Sequence, residues 1–456
     1  VKLYNTRTRR VEPFEPQGNA VTLYVCGITP YDTTHLGHAF TYTTADILIR
    51  YLEFRGRTVR YVQNVTDIDD DILKKAKEVG DDWRQLGNRW TAHFIEDMIS
   101  LNVRPPDYFP RATDVIPEII ESVQALIDAG VAYESAGNVY FHVDAWSEFG
   151  KLSQIPRVEM LPIANERGNQ PDDPYKNDPL DFVLWQARAE GEPAWESPWG
   201  WGRPGWHIEC STMATRYLGQ SIDIHGGGAD LLFPHHECEI AQVEPVTDQP
   251  FVRTWLHAAM VHHEGDKMSK SLGNLVMVRD LLQAWSPDTL RIYLARHHYR
   301  QPWAYNAVEL AQAQAVAQLI QEADRRPATD DTSASSVQAR RPARHFTTFS
   351  ASSEAAEGAT GDHREAAFIE AMDNDLDTAT ALDVLAQLAQ EIRQAGDEGR
   401  DIVPAQATLR RMAHVFGLRL DEAAETRVIE GWNEHLRRFD GQREVGGTRS
   451  LGEQRP

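Results

Sequence analysis

Val21-Thr22-Leu23-Tyr24-Val25-Cys26-Gly27 is followed by Thr29-Pro30-Tyr31-Asp32-Thr33-Thr34, and then by Ile47, Leu48, Tyr51 and Leu52 at helical spacing. The first seven residues are too densely apolar for a solvent-facing edge and predict a buried central strand. The next six are turn formers, and the spaced apolar residues predict a helix that stops at Gly56. Thr58 to Val65 reads as a second strand. Strand, helix and strand within this length make a βαβ unit, which implies an α/β fold with a parallel sheet and ligands at the carboxyl ends of its strands.

Working outward, Trp83 to Leu101 and Ala112 to Ala129 have helical patterns, whereas the Pro-, Asp- and Gly-rich stretch from Arg157 to Pro179 predicts an irregular insertion. A second half of the sheet is expected from Asp181-Phe182-Val183-Leu184-Trp185 onward. It contains the strand Ser221-Ile222-Asp223-Ile224-His225, which ends in Gly226-Gly227-Gly228. Beyond Asp288, helices are expected to about Ala323 and again from Ala366 to Leu420. The expected organisation is an α/β domain over 1–260 with a connective insertion at about 95–180, and a helical region over 261–323. A flexible Ser-, Thr-, Ala- and Arg-rich linker over 324–365, a helical bundle over 366–439 and an unstructured tail over 440–456 complete it.

Composition narrows the function. The chain has 456 residues, 41% hydrophobic and 25% charged, enough for roughly three structural units. No apolar run reaches the ~18 residues of a membrane span, and the chain starts without a signal-peptide pattern. A soluble cytoplasmic protein follows, with a monomer as the default expectation. Three scattered cysteines, Cys26, Cys210 and Cys238, are too few for a disulfide framework and are better read as reduced thiols. The net charge of −22 argues against indiscriminate nucleic-acid binding and leaves room for a specific RNA on a local basic surface.

Three constellations carry chemistry. Thr34-His35-Leu36-Gly37-His38 lies where a helix should begin, where free amides and the macrodipole attract phosphate and two histidines can donate to phosphate oxygens. A surface histidine pair at a cap is the plainer reading of these residues. Lys267-Met268-Ser269-Lys270-Ser271 suits a mobile loop closing on a triphosphate, or else a solvated basic loop. Cys26, Cys210, His235 and Glu239 are all good zinc donors, and His235 and Glu239 sit four apart on one helical face. Their wide spacing leaves buried cysteines and a capping histidine as the alternative.

The first two motifs, in this order around a split βαβ fold, resemble the signature motifs of class I aminoacyl-tRNA synthetases. The resemblance implies that Thr34, His35, Gly37, His38, Lys267 and Lys270 hold ATP, with His35, His38, Lys267 and Lys270 acting on the transition state of adenylate formation. Gly226-Gly227-Gly228-Ala229-Asp230 is similar to that family's adenosine-binding segment, which adds Gly227 and Asp230. Tyr24-Val25-Cys26-Gly27-Ile28-Thr29, Gly205-Trp206-His207-Ile208-Glu209-Cys210 and Phe233-Pro234-His235-His236-Glu237 resemble cysteinyl-tRNA synthetases, and the likeness runs from Leu3 to about Arg300. It implies one zinc ion per chain on Cys26, Cys210, His235 and Glu239, with the substrate thiolate as a further ligand. It also implies Mg²⁺ with ATP, a cysteine pocket of Cys26, Thr66, Trp206 and His225, and cysteine tRNA as acceptor. His207, His225 and His236 are candidates for groups supporting the metal ligands, and Cys238 is read as a packed thiol.

The small terminal module that helps such synthetases read the anticodon is not found after Leu420. A sister family, the mycothiol-pathway ligase, lacks that module and joins activated cysteine to a glucosaminyl-inositol amine. Glu159-Met160-Leu161, Glu166-Arg167-Gly168, Asp178-Pro179-Leu180-Asp181 and Asp82-Trp83-Arg84 resemble it. Glu239 and His225-Gly226-Gly227 follow the synthetase pattern instead. A non-catalytic cysteine or zinc sensor on the same fold is a third reading, and two complete signature motifs disfavour it.

Overall fold

The computed structural model describes residues 1–31, 34–263, 265–268, 273–327 and 354–440, with the side chains of 266, 267, 354–360 and 440 left aside. Its centre is a four-stranded parallel sheet with Val252–Ala258, Ile222–Gly228, Ala20–Ile28 and Thr58–Val65 side by side. Ile224 pairs with Leu23 and Val21 with Val59. The two expected strands and the intervening helix, Leu36–Phe54, are present, and the predicted strand at Ser221 continues through its glycines to Gly228. Side chains alternate across a strand. Leu23 and Val25 therefore pack with Phe40, Ile47 and Leu48 of the helix on one face, while Tyr24 and Cys26 join Ile208, Cys210, Cys238 and Ile240 on the other. Each fully buried Leu or Ile contributes about 1.5–3 kcal/mol before entropy is charged against it. The same alternation turns Cys26 toward the helices Trp206–Leu218 and His235–Thr247.

The chain leaves Ala20–Ile28 toward one edge of the sheet and leaves Ile222–Gly228 toward the other, so the carboxyl ends of these two neighbours flank a topological switch point. In open α/β sheets ligands bind outside the strand ends at such a point.

Two expectations are corrected. Phe182–Ala187 does not open a second half of the parallel sheet. It pairs antiparallel with Asn138–Phe141 and with Gly200–Pro204, inside a separate five-stranded antiparallel sheet. A short apolar run fits either kind of sheet, because periodicity says nothing about the partner strand. The stretch from Arg157 is not wholly irregular either: Arg157–Asn165 is helical and buries Met160 and Ala164, one turn apart, despite Pro162 within it.

Beyond the sheet come the helices Pro287–Ala295, Ala307–Arg325, Glu354–Asp373, Thr378–Asp397 and Val403–Val415. The helix Glu422–Asp440 folds back on Trp83–Ser100, where Trp432 is fully buried, meets Phe94 edge-on and donates its indole N–H to the Val103 carbonyl at 2.8 Å. The expected linker is corrected at its end, where residues 354–365 belong to the helix Glu354–Asp373; residues 328–353 of it and 441–456 of the expected tail lie outside the described residues. No described helix is long and apolar enough to cross a membrane.

Candidate active site

Cys26 stands near the carboxyl end of its strand, Cys210 in the first turns of Trp206–Leu218, and His235 and Glu239 one turn apart on His235–Thr247. These four residues, distant in sequence, present one donor atom each within 4.8 Å of one another, and all four are buried. Zinc bonds of about 2.3 Å to sulfur and 2.0–2.1 Å to nitrogen or oxygen require tetrahedral edges of about 3.3–3.8 Å between donors. The observed edges are 3.5 Å from Cys26 Sγ to Glu239 Oε1 and 3.2 Å from His235 Nε2 to the same oxygen. Two thiols, an imidazole and a carboxylate at these separations fit zinc. Trp206 stacks on the His235 ring with centroids 4.3 Å apart, and His207 Nδ1 shares a hydrogen bond of 2.8 Å with His235 Nδ1, so the ring turns Nε2 into the cluster.

Burial disfavours the charged forms of Cys26, His235 and Glu239. It pushes the Cys26 thiol well above its ordinary value, with the neighbouring Cys210 adding to the effect, and raises the Glu239 carboxyl likewise. His235 is pushed well below the ordinary imidazole value by burial and then by His207 and His225, while His225 and His257 are brought down to about 3. Burial thus favours the neutral forms of Cys26, His235 and Glu239, and a divalent cation would reverse that preference for the Cys26 thiol and the Glu239 carboxyl.

His35 caps the helix Leu36–Phe54. Its Nδ1 accepts from the Gly37 N–H at 3.1 Å, and its ring stacks on that of His38 with centroids 3.8 Å apart. The Leu36 N–H donates to the Val276 carbonyl at 2.8 Å and the Val278 N–H to the Thr34 carbonyl at 3.1 Å. The first motif is thus joined by a short antiparallel bridge to the segment just after the second. Lys267 ends a two-residue strand paired with His262, and Lys270 lies outside the described residues. Gly227 lies one residue before the end of its strand, beside His236, whose ring a Cβ at Gly227 would approach to 3.1 Å, and Asp230 sits on the following turn.

Thr66 is buried, accepts from Asn64 Nδ2 at 3.2 Å and donates its N–H to the Ile28 carbonyl at 2.9 Å. Asn64 in turn accepts the Gly27 N–H at 2.7 Å, and a Cβ at Gly27 would fall 1.6 Å from the Asn64 carbonyl oxygen. Only glycine permits that approach. Cys238 is buried in the apolar layer, its thiol pushed up by burial, which agrees with a packed thiol.

Sequence reasoning passed over His257 and Glu209. His257, on the edge strand Val252–Ala258, shares a hydrogen bond of 2.8 Å with His236 and another of 2.8 Å with the Thr6 hydroxyl. A lone histidine in an apolar strand gives no signal of such a partner. Glu209 is fully buried beside Cys210 and neither carboxylate oxygen meets a donor at bonding distance, so burial raises it strongly, with the Thr66 hydroxyl among the groups that work against the rise.

Residues 13–315 match the family of tRNA synthetases class I (C), catalytic domain, and residues 367–421 match the DALR domain. The chain is 51% identical over 306 residues to the cysteine--tRNA ligase of Thermococcus onnurineus, which covers 67% of this chain but only 63% of that relative. It is 41% identical over 429 residues to the cysteine--tRNA ligase of Dehalococcoides mccartyi, covering 93% of this chain and 88% of the relative. Among solved structures it superposes on Mycobacterium tuberculosis methionyl-tRNA synthetase in complex with methionyl-adenylate, with a TM-score of 0.61 at 17% identity, covering 92% of this chain and 93% of that one, a likeness of fold alone.

Proposed function

This chain belongs to the class I (C) tRNA synthetase family, and from that premise we propose that it is a cysteine--tRNA ligase, forming cysteinyl-adenylate from L-cysteine and ATP and passing the cysteine to cysteine tRNA. The observation that carries the reading is the convergence of Cys26, Cys210, His235 and Glu239 near the carboxyl end of the strand Ala20–Ile28. The working assignment is a cytoplasmic monomer.

In this reading Cys26, Cys210, His235 and Glu239 hold zinc. When bound, zinc supplies a soft Lewis acid that favours the thiolate of cysteine over the hydroxyl of serine. Trp206 walls the pocket and keeps His235 oriented, while Thr66 and His225 bound it. The amides at the start of Leu36–Phe54, together with His35 and His38, receive the phosphates of ATP, which arrives with Mg²⁺. Gly227 and Asp230 take the adenosine. Lys267 and Lys270 neutralise charge that builds on the phosphates in the transition state.

A carboxylate oxygen of cysteine attacks the α-phosphorus, and the bond to pyrophosphate breaks with its electron pair leaving on pyrophosphate. The terminal ribose hydroxyl of the tRNA then attacks the carbonyl carbon, loses its proton and expels AMP. No protein nucleophile is needed, in keeping with Cys238 lying buried among apolar side chains. The decisive test offers labelled cysteine and ATP to zinc-loaded protein with cysteine tRNA or glucosaminyl-inositol as acceptor. Cysteinylated tRNA is the expected product. An amide with uncharged tRNA, or no pyrophosphate exchange at all, would overturn the proposal.

A further inference from the structure

Asp97 lies on the helix Trp83–Ser100, which carries no residue of either signature motif and none of the four zinc donors. An aspartate inside a helix ordinarily faces solvent, yet the Asp97 side chain is 2% exposed. Its Oδ1 lies 2.8 Å from Nε of Arg279, and the same guanidinium donates to the His93 carbonyl at 2.9 Å and to Glu96 Oε2 at 2.8 Å. Arg279 thus grips one stretch of that helix at three points. It also follows directly on the segment that closes against the first motif. The Val278 N–H donates to the Thr34 carbonyl at 3.1 Å and the Leu36 N–H to the Val276 carbonyl at 2.8 Å, with His35 opposite Met277. The Thr34 hydroxyl completes the circuit, because it too acts on the Asp97 carboxyl as a hydrogen-bond donor.

We propose that Asp97 and Arg279 are positioning residues for adenylate formation, a clasp that fastens residues 276–278 to 34–36 and so fixes where His35 and the first amides of Leu36–Phe54 meet the phosphates of ATP. This inference rests on the reading of that helix start as the ATP site and deepens it.

The bridge between His35 and Met277 is isolated, with no ladder beyond it to hold its register. What flanks the bridge must hold it, and Arg279 is its next residue on one strand. A buried carboxylate persists only with partners. Burial pushes the Asp97 carboxyl up to about 6, and Arg279 and the Thr34 hydroxyl work against that rise, so at neutral pH the contact joins two charges. Charge-assisted contacts of this kind are short and directional. The helix itself is docked by other means: Phe94 meets Tyr42 edge-on with centroids 5.2 Å apart and Trp432 at 6.1 Å, while Ile95 and Met98 are buried. What the ion pair adds is the tie from this docked helix to the segment after the second motif. A misplacement of about 1 Å at a reacting group can cost about 10²-fold in rate, which gives such a tie its leverage.

The test compares the zinc-loaded full chain with Arg279→Gln, Asp97→Asn, the double variant and Arg279→Lys, by single-turnover formation of cysteinyl-adenylate and by KM for cysteine and ATP. Each of the first two variants is expected to lose about 10–10²-fold in rate while KM for cysteine stays within about twofold. The double variant should lose no more than the worse single one, since both break one tie. Arg279→Lys, which keeps the charge without the fork, should fall between Arg279→Gln and the unaltered chain. Hydrogen exchange gives a readout independent of activity: amides at 34–36 and 276–278 should exchange at least about tenfold faster in either single variant, with the central sheet unchanged. Asp97→Asn is isosteric and serves where loss of the guanidinium prevents folding. Full rate in either single variant, losses that add in the double one, unchanged exchange at the bridge, or a KM for cysteine that rises as far as the rate falls overturns the clasp and leaves the ligase reading standing. An unaltered chain that exchanges no pyrophosphate into ATP removes both.

Discussion

Asp46 and Arg291 form an ion pair in which neither side chain has any exposure, and it ties the helix of the first signature motif to the helix that follows the second. Arg291 also donates to the carbonyls of Phe416 and Leu101, the latter at 2.8 Å, while Arg50 holds Asp46 from the other side at 2.9 Å. One guanidinium thus joins the catalytic sheet, the start of the insertion and the corner of the helical bundle. Removing one partner of such a pair typically costs about 3–5 kcal/mol, because the other charge and the carbonyls lose their donor. Arg291→Met is therefore expected to lower stability by about that amount in urea unfolding, with the bundle and sheet no longer melting together.

The same network sets a pH dependence. Burial pushes the Asp46 carboxyl up, but Arg50 and Arg291 outweigh it, and the net displacement is below the ordinary carboxylate value. A carboxyl lowered on folding contributes stability above its unfolded pKa of about 3.9, and that contribution is lost as pH falls through the lower folded value. Thermal melts of the native protein and Asp46→Asn should differ most above the ordinary carboxylate value of about 3.9 and converge only as pH falls well below it. A gap that persists undiminished in acid would show that Asp46 acts by shape and hydrogen bonding alone.

Gly27→Ala tests the floor of the pocket. The added methyl would fall 1.6 Å from the Asn64 carbonyl oxygen, which is main chain and cannot swing aside. The strand pair Ala20–Ile28 and Thr58–Val65 must then separate at the point where Asn64 also holds Thr66. Overpacking costs about 1–3 kcal/mol, so the variant should fold with a lowered Tm and a raised KM for cysteine in pyrophosphate exchange. An unchanged KM would detach this glycine from the cysteine pocket.

How much of this was legible beforehand depended on whether the signal was local. The strand at Val21 and the helix before Gly56 could be read because apolar density and turn chemistry are written in neighbouring residues. Phe182–Ala187 was assigned to the wrong sheet because its partners, Asn138–Phe141 and Gly200–Pro204, are nowhere in the run itself. The four donors span 213 positions between Cys26 and Glu239, so spacing alone left them open, and the motif context around each singled them out. His257 and Arg291 were invisible for the converse reason: a lone histidine in a strand and an arginine in a helix ordinarily mark solvated positions, and only the packing shows otherwise.

Cys210→Ser separates metal chemistry from packing. Serine is nearly isosteric with cysteine, so the fold should survive, while a hydroxyl is a far poorer zinc donor than a thiolate. Zinc affinity is expected to fall at least tenfold in chelator competition. The ratio of kcat/KM for cysteine over serine in pyrophosphate exchange should fall with it if discrimination rests on the metal, as proposed. Unchanged zinc affinity would remove Cys210 from the ligand set despite its place within 4.8 Å of the other donors.

The last prediction concerns the loop whose chemistry is read from sequence alone. Lys267-Met268-Ser269-Lys270-Ser271 follows a strand that pairs with His262 and His263, and Val276, just beyond it, is bonded to Leu36 at the start of the first motif. The segment after the motif is thus bonded to the start of the helix Leu36–Phe54. If Lys270 meets charge that exists only as pyrophosphate departs, Lys270→Ala should leave cysteine and ATP binding nearly intact and lower the single-turnover rate of adenylate formation by about 10²–10³-fold, the usual loss for a transition-state donor. A variant that loses ATP binding to the same degree as rate would make Lys270 a ground-state contact, and one that keeps full rate would leave Lys267 to do this work alone.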